Sequence, residues 1–511
     1  MLQKLARIGA AALAVAVAGV GTPALAQQKG GAINVATIGE PNTLDPMVAA
    51  GDLLGMITQH FYETLYTFDK NWALTPLLAE TLPQISDGGK VYTIPLRQGV
   101  SFHNGKAMTA QDVVASLKRW TELASRGKLV ADNIAAIEAT DDKTVKITLK
   151  APFAPLTALL AFNNSAAVIM PADKMENPIK EVIGTGPYQL KERKPDQYIQ
   201  LTRFDGYKQR QGEPDGFGGA RKQYLDEIRF VPVPDANTRV EGALAGQFDF
   251  ADLIPVEAFD RLKGQAKTEP VLMQGFGWPM FIMNNKQGMM TSKDMRKAVQ
   301  AALNAEDMLA AAFGKPEFYK LDGAMYPEGY AWRSDAGIKA YNQGDADKAK
   351  ALAKTAKYDG APIRILTSRQ YEFHYKMAQV AAEYLKASGL KADLQVVDWS
   401  NLVQPRAAPA LWDIFITHSP FLAEPALIAP LPDSYPGWWA SEAKNKLLSA
   451  LNAESDEKKR VAIFADLQKL IFEEVPFYKV GDFAALSAKA PRLSGYTASH
   501  WPYFWNASLK P

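Results

Sequence analysis

A strand, a tight turn and a helix are predicted in close succession between positions 91 and 120. From Val91 to Arg97, apolar residues alternate with more polar ones, which predicts a β-strand with one apolar face. Asn104-Gly105 favours a turn, because both residues tolerate positive φ angles. Thr109 can then cap a helix, with the carboxylate of Asp112 near the positive end of the helix dipole. By itself this segment predicts a βα unit of an α+β domain.

Similar patterns predict the elements of the rest of the chain. Residues 360–399 predict a βαβ unit, in which strands at 363–366 and 392–397 flank a helix at 371–388. A crossover of this length gives parallel strands with a right-handed connection. Further strands are predicted at residues 31–38, 198–204, 226–233, 278–284, 412–416 and 477–486, and a hairpin is predicted around 141–149. Further helices are predicted at residues 53–66, 235–246 and 455–472 and after Ser292.

Residues 1–26 have the pattern of a secretory signal peptide. Lys4 and Arg7 form a positive n-region, Ile8 to Val20 is an apolar run, and Ala24-Leu25-Ala26 fits a small-residue cleavage site. The apolar run is too short to span a bilayer as a permanent helix, although an N-terminal membrane anchor is the competing interpretation. No cysteine lies beside the cleavage site for lipid attachment. We therefore expect a soluble periplasmic protein and not a lipoprotein.

Length and composition indicate a globular protein with more than one domain. A chain of 511 residues exceeds what one core holds, so two or three domains are expected. Hydrophobic residues make up 47% and charged residues 22%, which argues against disorder and coiled coil. The net charge of +2 comes from Lys4 and Arg7, so the rest of the chain is neutral and nucleic acid is not an expected partner. The chain has no cysteine, and its size allows stability without disulfides.

Three short motifs resemble the signature of one family. They are Leu96-Arg97-Gln98-Gly99-Val100, Phe102-His103-Asn104-Gly105 and Thr109-Ala110-Gln111-Asp112-Val113. Together they resemble the peptide, opine and nickel class of extracellular solute-binding proteins, the receptors that feed ABC importers. The family usually has Asp-Gly at 104–105 and Glu-Asp at 111–112, and neither change disturbs a turn or a helix start. Gly184-Thr185-Gly186-Pro187-Tyr188 also matches the family, and it lacks the Lys and Ser/Thr that a phosphate-binding loop needs.

The resemblance covers nearly all of the chain after the signal peptide and implies a specific architecture. It implies an α/β, two-lobed periplasmic binding protein fold of type II, in the large class with an extra domain, with mixed sheets flanked by helices and a ligand cleft between the lobes. The first lobe is expected at residues 27–272 and 484–511, with the extra domain at roughly 60–200, and the second lobe at residues 273–483. The chain is expected to cross between the lobes near 270–276 and 480–486, and to be a monomer.

Signatures of enzymes are missing from the sequence. It has no Gly-x-Ser-x-Gly elbow and no His-Glu-x-x-His motif, and its five histidines lack metal-ligand spacing. We therefore expect no catalytic residue, no cofactor and no resident metal. A secreted hydrolase is the hypothesis from a different class, because folding can bring Ser, His and Asp together from distant positions. A periplasmic chaperone or sensory partner is the third hypothesis.

Arg369 is the first predicted ligand contact. It follows the strand predicted at 363–366, and side chains beyond the carboxyl ends of strands point into the crevice of an open α/β sheet. A guanidinium binds a carboxylate through two parallel hydrogen bonds. In dipeptide-binding relatives, an arginine at this strand exit binds the ligand carboxylate. A solvated surface arginine is the alternative.

The segment after the strand at 412–416 is the second predicted contact region. Family members have Trp-x-x-Asp-x-x-Asp-Pro here, and the first Asp binds the α-amino group of a peptide. Phe421 or Leu422 occupies the position of that Asp in this chain. Burying an ammonium without a countercharge costs several kcal/mol. Either Glu424 or Asp433 therefore replaces the Asp, or the ligand has no free α-amine. The predicted contacts of this region are Thr417, His418, Ser419, Phe421 and Glu424.

Two more residues complete the predicted site. Trp278 starts a predicted strand, where an aromatic side chain either lines the cleft or packs in the core. Met47 belongs to a segment whose backbone touches the ligand in relatives. A nickel chelate would favour His418 as a direct ligand. A peptide or oligopeptide is the expected ligand, and an opine, a sugar-acid conjugate or a nickel chelate is the alternative. The expected protein partner is an ABC permease in the inner membrane.

Overall fold

The computed structural model describes residues 29–49, 51–369, 371–397, 402 and 405–510. The predicted signal peptide at residues 1–26 and the predicted end of the βαβ unit at Trp399 lie outside these residues. In the described part of the chain, no helix combines the length and the apolar character that crossing a membrane requires.

Strands and helices alternate along the whole described chain. The strands are β1 Ala32–Thr37, β2 Tyr66–Phe68, β3 Leu74–Pro76, β4 Gln84–Ser86, β5 Val91–Pro95, β6 Ile134–Asp141, β7 Thr144–Leu149, β8 Tyr188–Lys194, β9 Tyr198–Arg203, β10 Pro214–Asp215, β11 Gly218–Gly219, β12 Glu227–Pro232, β13 Phe250–Ile254, β14 Glu269–Met283, β15 Tyr319–Lys320, β16 Ile363–Thr367, β17 Ala392–Val396, β18 Ile414–Pro420, β19 Phe477–Lys479, β20 Asp482–Lys489, β21 Leu493–Ser494 and β22 Ser508–Leu509. The helices are α1 Asp52–Thr58, α2 Ala110–Leu123, α3 Ser125–Ala131, α4 Leu156–Leu159, α5 Ala236–Ala245, α6 Phe259–Leu262, α7 Lys293–Ala302, α8 Ala305–Phe313, α9 Ala346–Thr355, α10 Glu372–Ala387, α11 Glu442–Ala453 and α12 Glu457–Glu474.

One large mixed sheet runs through the molecule, in the order β17-β16-β18-β14-β20-β13-β1-β12-β9-β8. The part of the chain built on β13, β1, β12, β9 and β8 is called the first lobe here, and the part built on β18, β16 and β17 the second lobe. The long strand β14 belongs to both. Its residues 269–273 pair with β20, whereas its residues 277–283 pair with β18. The ladder between β14 and β20 shifts register between Met273 and Gly277.

Several elements confirm the predictions from local pattern. The strands β16 and β17 are parallel and α10 connects them, and β6 and β7 form the predicted hairpin. β5 and β7 lie in a small antiparallel sheet of order β4-β5-β7-β6, against which α2 packs. α2 begins with a capping box, in which the backbone N–H of Thr109 donates to the Asp112 carboxylate at 2.9 Å.

Three boundaries differ from the predictions because tertiary contacts override local pattern. The helix expected at residues 53–66 ends at Thr58. Residues 64–68 are extended instead, because they pair with residues 74–79. The strand expected at 278–284 starts earlier, at Glu269, because its first half pairs with β20. The strand expected at 477–486 is interrupted at Val480-Gly481, and a Cβ at Gly481 would lie only 2.7 Å from the Lys320 carbonyl oxygen.

Candidate functional site

Two neighbouring cavities lie beside Met273 of β14. The larger one, called the main chamber here, has a volume of about 450 Å³. The smaller one, called the end pocket, has a volume of about 40 Å³. Met273, Ser499 and His500 line both cavities, so the end pocket extends the main chamber. The other residues of the end pocket include Asp52, Asp252, Leu253, Phe276, Ser487 and Trp501.

A third cavity, called the second chamber here, has a volume of about 440 Å³. It lies between residues 68–92 on one side and residues 330–332, 423–424 and 453–460 on the other. Trp72 lines both the second chamber and the main chamber. The main chamber therefore borders each of the other two cavities, and Trp72 lies between the two large ones.

Aromatic rings from distant parts of the chain meet at Trp72. Its ring centroid lies 4.8 Å from that of Phe421 and 4.9 Å from that of His500. The His500 ring in turn stacks on Phe276, with centroids 5.7 Å apart and planes inclined by 6°. Trp72 has a φ angle of 63°, a left-handed conformation that costs a non-glycine residue about 1–3 kcal/mol and recurs at ligand sites. Such aromatic walls are typical of small-molecule cavities.

The carboxylate of Asp52 lies at the mouth of the end pocket. The residue is exposed, and its Oδ1 accepts hydrogen bonds from the Trp501 indole at 2.9 Å and from Asn164 at 3.0 Å. In the described part of the chain it has no ion-pair partner within 4.0 Å. Its charge raises the pKa values of Asp252, His418 and His500, each of which is shifted mainly by burial. Asp52 therefore faces groups from both lobes.

Asp252 lies deeper in the same pocket. Its side chain is 6% exposed, and burial raises the pKa of its carboxyl to about 6. The hydroxyl of Ser487 donates to its Oδ1 at 3.4 Å. The neighbouring Leu253 has a φ of 43°, so the chain is also strained at this point.

The predicted residues Thr417, Ser419 and Phe421 lie together along the end of β18. Thr417 and Ser419 are buried and pair with β14. The ring of Phe421 joins the aromatic cluster at Trp72, and its N–H donates to the Phe276 carbonyl at 3.1 Å. Of these three residues, Phe421 is therefore the one whose side chain takes part in that cluster.

His418, also predicted, pairs with another histidine. Its Nδ1 lies 3.1 Å from Nε2 of His374 in α10. Burial lowers the pKa of His418 to about 4. No group of three or more metal-ligating side chains occurs among the residues that the structure describes, so this pair is not part of a larger ligand set there.

The two carboxylates proposed to replace the amine-binding Asp have internal partners. Glu424 lines the second chamber and forms an ion pair with Arg460, with Nη2 to Oε1 at 2.7 Å. Asp433 forms an ion pair with the buried ammonium of Lys444. Burial of such a cation is tolerated because the carboxylate compensates it. Either carboxylate would have to leave its cation in order to bind an ammonium group of a ligand.

Of the predicted contacts, Glu424 lines one of the three cavities, and the others, including Arg369, Trp278 and Met47, do not. Arg369 is exposed, and its guanidinium donates to the Tyr375 hydroxyl at 2.9 Å and stacks over the Tyr375 ring at 4.4 Å. Trp278 is buried and stacks on Phe477, with centroids 5.9 Å apart. Met47 is buried, and its sulfur lies 3.2 Å from the guanidinium of Arg119.

Sequence reasoning missed most of the residues that line the main chamber and the end pocket. A signal for some of them was present, because residues 496–505 contain six aromatic or histidine side chains in a segment without a predicted element: Tyr496, His500, Trp501, Tyr503, Phe504 and Trp505. No comparable signal surrounds Trp72 or Phe276, which reach the site through folding.

The fold defines the class of two-lobed solute receptors whose lobes are joined by crossing strands. Comparison with known proteins identifies the family. The profile described as "Bacterial extracellular solute-binding proteins, family 5 Middle" matches residues 73–427. The chain belongs to this family of solute-binding proteins.

Individual relatives agree with this assignment. A probable peptide ABC transporter periplasmic-binding protein of Sinorhizobium fredii is 28% identical over 487 residues, which is 91% of each chain. A glutathione-binding protein of Escherichia coli K12 is 32% identical over 409 residues, covering 78% of this chain and 75% of the relative. A periplasmic binding protein of A. tumefaciens R10, solved with agropinic acid, superimposes with a TM-score of 0.76 at 25% identity, covering 94% of this chain and 99% of that one.

These findings confirm the predicted fold class and the general function. The protein is the substrate-binding component of an ABC transporter, and it belongs to an extracellular or periplasmic family that delivers small ligands to a permease. The family consists of non-enzymatic transport components, so the hypothesis of a secreted hydrolase is set aside.

Proposed function

We propose that the protein binds a short peptide in the main chamber and delivers it to the permease of an ABC importer. The main chamber supports this proposal best, because its volume of about 450 Å³ lies in the range of small-ligand sites. Charges of both signs line it, from Asp69 and Glu213 and from Lys70 and Lys222. A ligand with both an ammonium and a carboxylate, such as a peptide, matches this mixture. Relatives described as binding peptide and glutathione support the same ligand class.

In this proposal the first lobe supplies almost the whole lining of the main chamber, with Met273 of β14 at its edge, and the second lobe closes over the ligand by a hinge motion at β14 and β20. The first lobe comprises residues 27–272 and 484–511, with the extra domain at roughly 60–200, and the second lobe residues 273–483. Both crossing strands run through these boundaries, which supports the division. The protein reaches the periplasm through a signal peptide at residues 1–26, acts as a monomer, and binds no nucleic acid.

A binding screen on ligand-free protein tests the proposal. The protein is unfolded, dialysed and refolded to remove ligand, and its melting temperature is measured with dipeptides, tripeptides and glutathione. A ligand at about 100 times its Kd stabilises the native state by about 2.7 kcal/mol. We expect at least one peptide class to raise the melting temperature and to be recovered chemically unchanged. Stabilisation by none of the peptides would overturn the proposal.

A carboxylated non-peptide is the second candidate ligand. Two observations favour it. Phe421 or Leu422 stands where relatives that bind peptides have an amine-binding Asp, and a relative has been solved with agropinic acid. The same screen therefore includes agropinic acid and a nickel chelate. A melting-temperature increase with agropinic acid alone would assign the protein to this second class.

A further inference from the structure

The structure points to a binding subsite for a primary ammonium group on the first lobe, and we propose that Asp52 and His500 form it in the end pocket. This inference rests on the proposed function and specifies it: the ligand has a free amine, and that amine is bound by the first lobe and not by the second-lobe position at Phe421. The peptide's amino terminus would then occupy the end pocket, with the rest of the ligand in the main chamber.

The first step of the argument is the hydrogen bonding of His500. Its Nε2 lies 3.0 Å from the Gly275 carbonyl oxygen, which can only accept, so Nε2 carries the proton. Burial lowers the pKa of His500 to about 4, and the ring is therefore neutral at pH 7. Its Nδ1 is then a hydrogen-bond acceptor. This atom has no partner among the described residues, although the side chain is only 8% exposed.

A buried polar atom without a partner is unusual in a native protein and calls for an explanation. His500 lines both the end pocket and the main chamber, so a bound molecule can reach it from either side. The ring cannot turn without losing its bond to Gly275 and its stacking on Phe276. An acceptor held in place in this way can accept a hydrogen bond from a ligand N–H group that takes the place of a water molecule.

The second step is the charge of the pocket. Asp52 at the mouth and Asp252 in the interior both line it; burial is the main cause of the raised pKa of Asp252, and the negative charge of Asp52 makes a smaller contribution in the same direction. Two carboxylates that repel each other in one small pocket are stabilised by a cation between them. The pocket volume of about 40 Å³ holds a group of the size of a water molecule or an ammonium, and not a guanidinium with its stem.

Two arginines of the described chain lie near these carboxylates, and neither forms an ion pair with them. Arg126 donates to the Asn164 carbonyl at 2.9 Å and stacks on Phe162 at 4.3 Å. The charge of Arg239 lowers the pKa of Asp252, but its guanidinium donates to the backbone carbonyl of Asp252, at 2.9 Å, and not to the carboxylate. The Asp52 carboxylate thus keeps its second oxygen for a ligand, while Trp501 and Asn164 orient the first.

The test compares ligands with and without a free amine on wild-type protein and on Asp52→Asn. The asparagine keeps an oxygen that can accept from Trp501 but removes the charge. One pair of probes is the best peptide of the screen and its N-acetyl form. The other pair is 6-aminohexanoate, an amine and a carboxylate joined by an alkyl chain, and its N-acetyl form. Asp196→Asn, at an exposed carboxylate away from the cavities, is the matched control.

We expect Asp52→Asn to weaken the binding of free-amine probes about ten- to hundredfold, the range for a charge-assisted hydrogen bond. The affinity for an N-acetylated probe should stay within about twofold, and Asp196→Asn should bind like the wild type. His500→Phe, which keeps the stacking on Phe276, should weaken the free-amine probes selectively as well.

Other outcomes separate this inference from the proposed function. If only 6-aminohexanoate binds, and Asp52→Asn abolishes its binding, the result supports the ammonium subsite and overturns the proposal that the ligand is a peptide. Equal losses for free and acetylated peptide, or no loss for either, overturn the subsite and leave the peptide proposal intact. If no probe with an amine binds the wild-type protein, both are overturned.

Discussion

The carboxylate of Glu424 and the guanidinium of Arg460 form a buried two-point ion pair, with Nη2 to Oε1 at 2.7 Å and Nη1 to Oε2 at 3.1 Å. Both side chains are less than 10% exposed. The pair joins the loop after β18 to the start of α12. Glu424, which the sequence predicts as a ligand contact, therefore compensates a cation of the protein in this structure.

Glu424→Ala should destabilise the protein by about 3–5 kcal/mol, because it leaves the buried guanidinium of Arg460 without a countercharge. Urea unfolding measures this change. Glu457→Gln is the control, since Glu457 lines the same chamber but is exposed, and its effect should stay within about 0.5 kcal/mol. If Glu424→Ala lowered ligand affinity and left the unfolding free energy unchanged, Glu424 would be a ligand residue.

We propose that closure of the lobes brings Arg369, which lies outside the three cavities in this structure, to an anionic group of the ligand; Arg369→Ala should then lower the affinity for an anionic ligand by at least about tenfold, as expected for a lost guanidinium–carboxylate contact. The melting temperature without ligand should change little, because Arg369 is exposed and its guanidinium contacts Tyr375 of its own segment. Titration calorimetry measures the affinity. Lys386→Ala, at an exposed cation of the same helix α10, is the control. Unchanged affinity in Arg369→Ala would remove this residue from the site.

Gly277→Ala should destabilise the junction of the lobes more than Gly275→Ala. A Cβ at Gly277 would lie 2.3 Å from the Ser419 carbonyl oxygen, so β14 and β18 would have to separate at a cost of about 3 kcal/mol. Gly275 has a φ of 61° and no atom within 4 Å of an added Cβ, so its substitution costs only the backbone strain, about 1 kcal/mol. Urea unfolding of both variants gives the comparison, and equal losses would contradict it.

Acidification should destabilise the protein between about pH 6.5 and pH 4. An unfolded histidine binds a proton near pH 6.5, whereas burial lowers the pKa of each native histidine. The unfolded chain therefore binds more protons in this window, and the free energy of unfolding falls as the pH falls. The lowered values are about 3 for His60, about 4 for His103, His418 and His500, and well below the ordinary value for His374.

Asp252 has the opposite effect on the free energy of unfolding over part of this window. Its pKa is raised to about 6, so below that pH its carboxyl binds a proton in the native state more readily than in the unfolded chain. We expect the histidines to dominate, with a slope of more than about 2.7 kcal/mol per pH unit, equivalent to two protons. Urea unfolding at pH 7, 6 and 5 measures it. His103→Gln should reduce the slope by up to one proton. A free energy of unfolding that stays constant from pH 7 to pH 5 would refute the assignment of neutral buried histidines.

The elements that could be predicted from sequence are those whose pattern is local. Thr109 and Asp112 cap α2 because both groups lie within one turn, and β16, α10 and β17 follow from alternation and helical spacing. The helix at residues 53–66 was predicted too long, because its apolar spacing was equally compatible with residues 64–68 pairing to a distant segment. Propensity is weak in such cases, and the pairing partner decides.

The sequence by itself determined the family and the α/β class. It did not show that the histidines are buried, since burial is a property of the fold. Tertiary structure alone decided which carboxylates have cations and which aromatic rings meet. Glu424 is paired by Arg460, and Trp72 meets Phe421 and His500, across separations that no local pattern encodes. The physical reason is that solvation and charge compensation depend on neighbours in space, and folding brings those neighbours from remote parts of the chain.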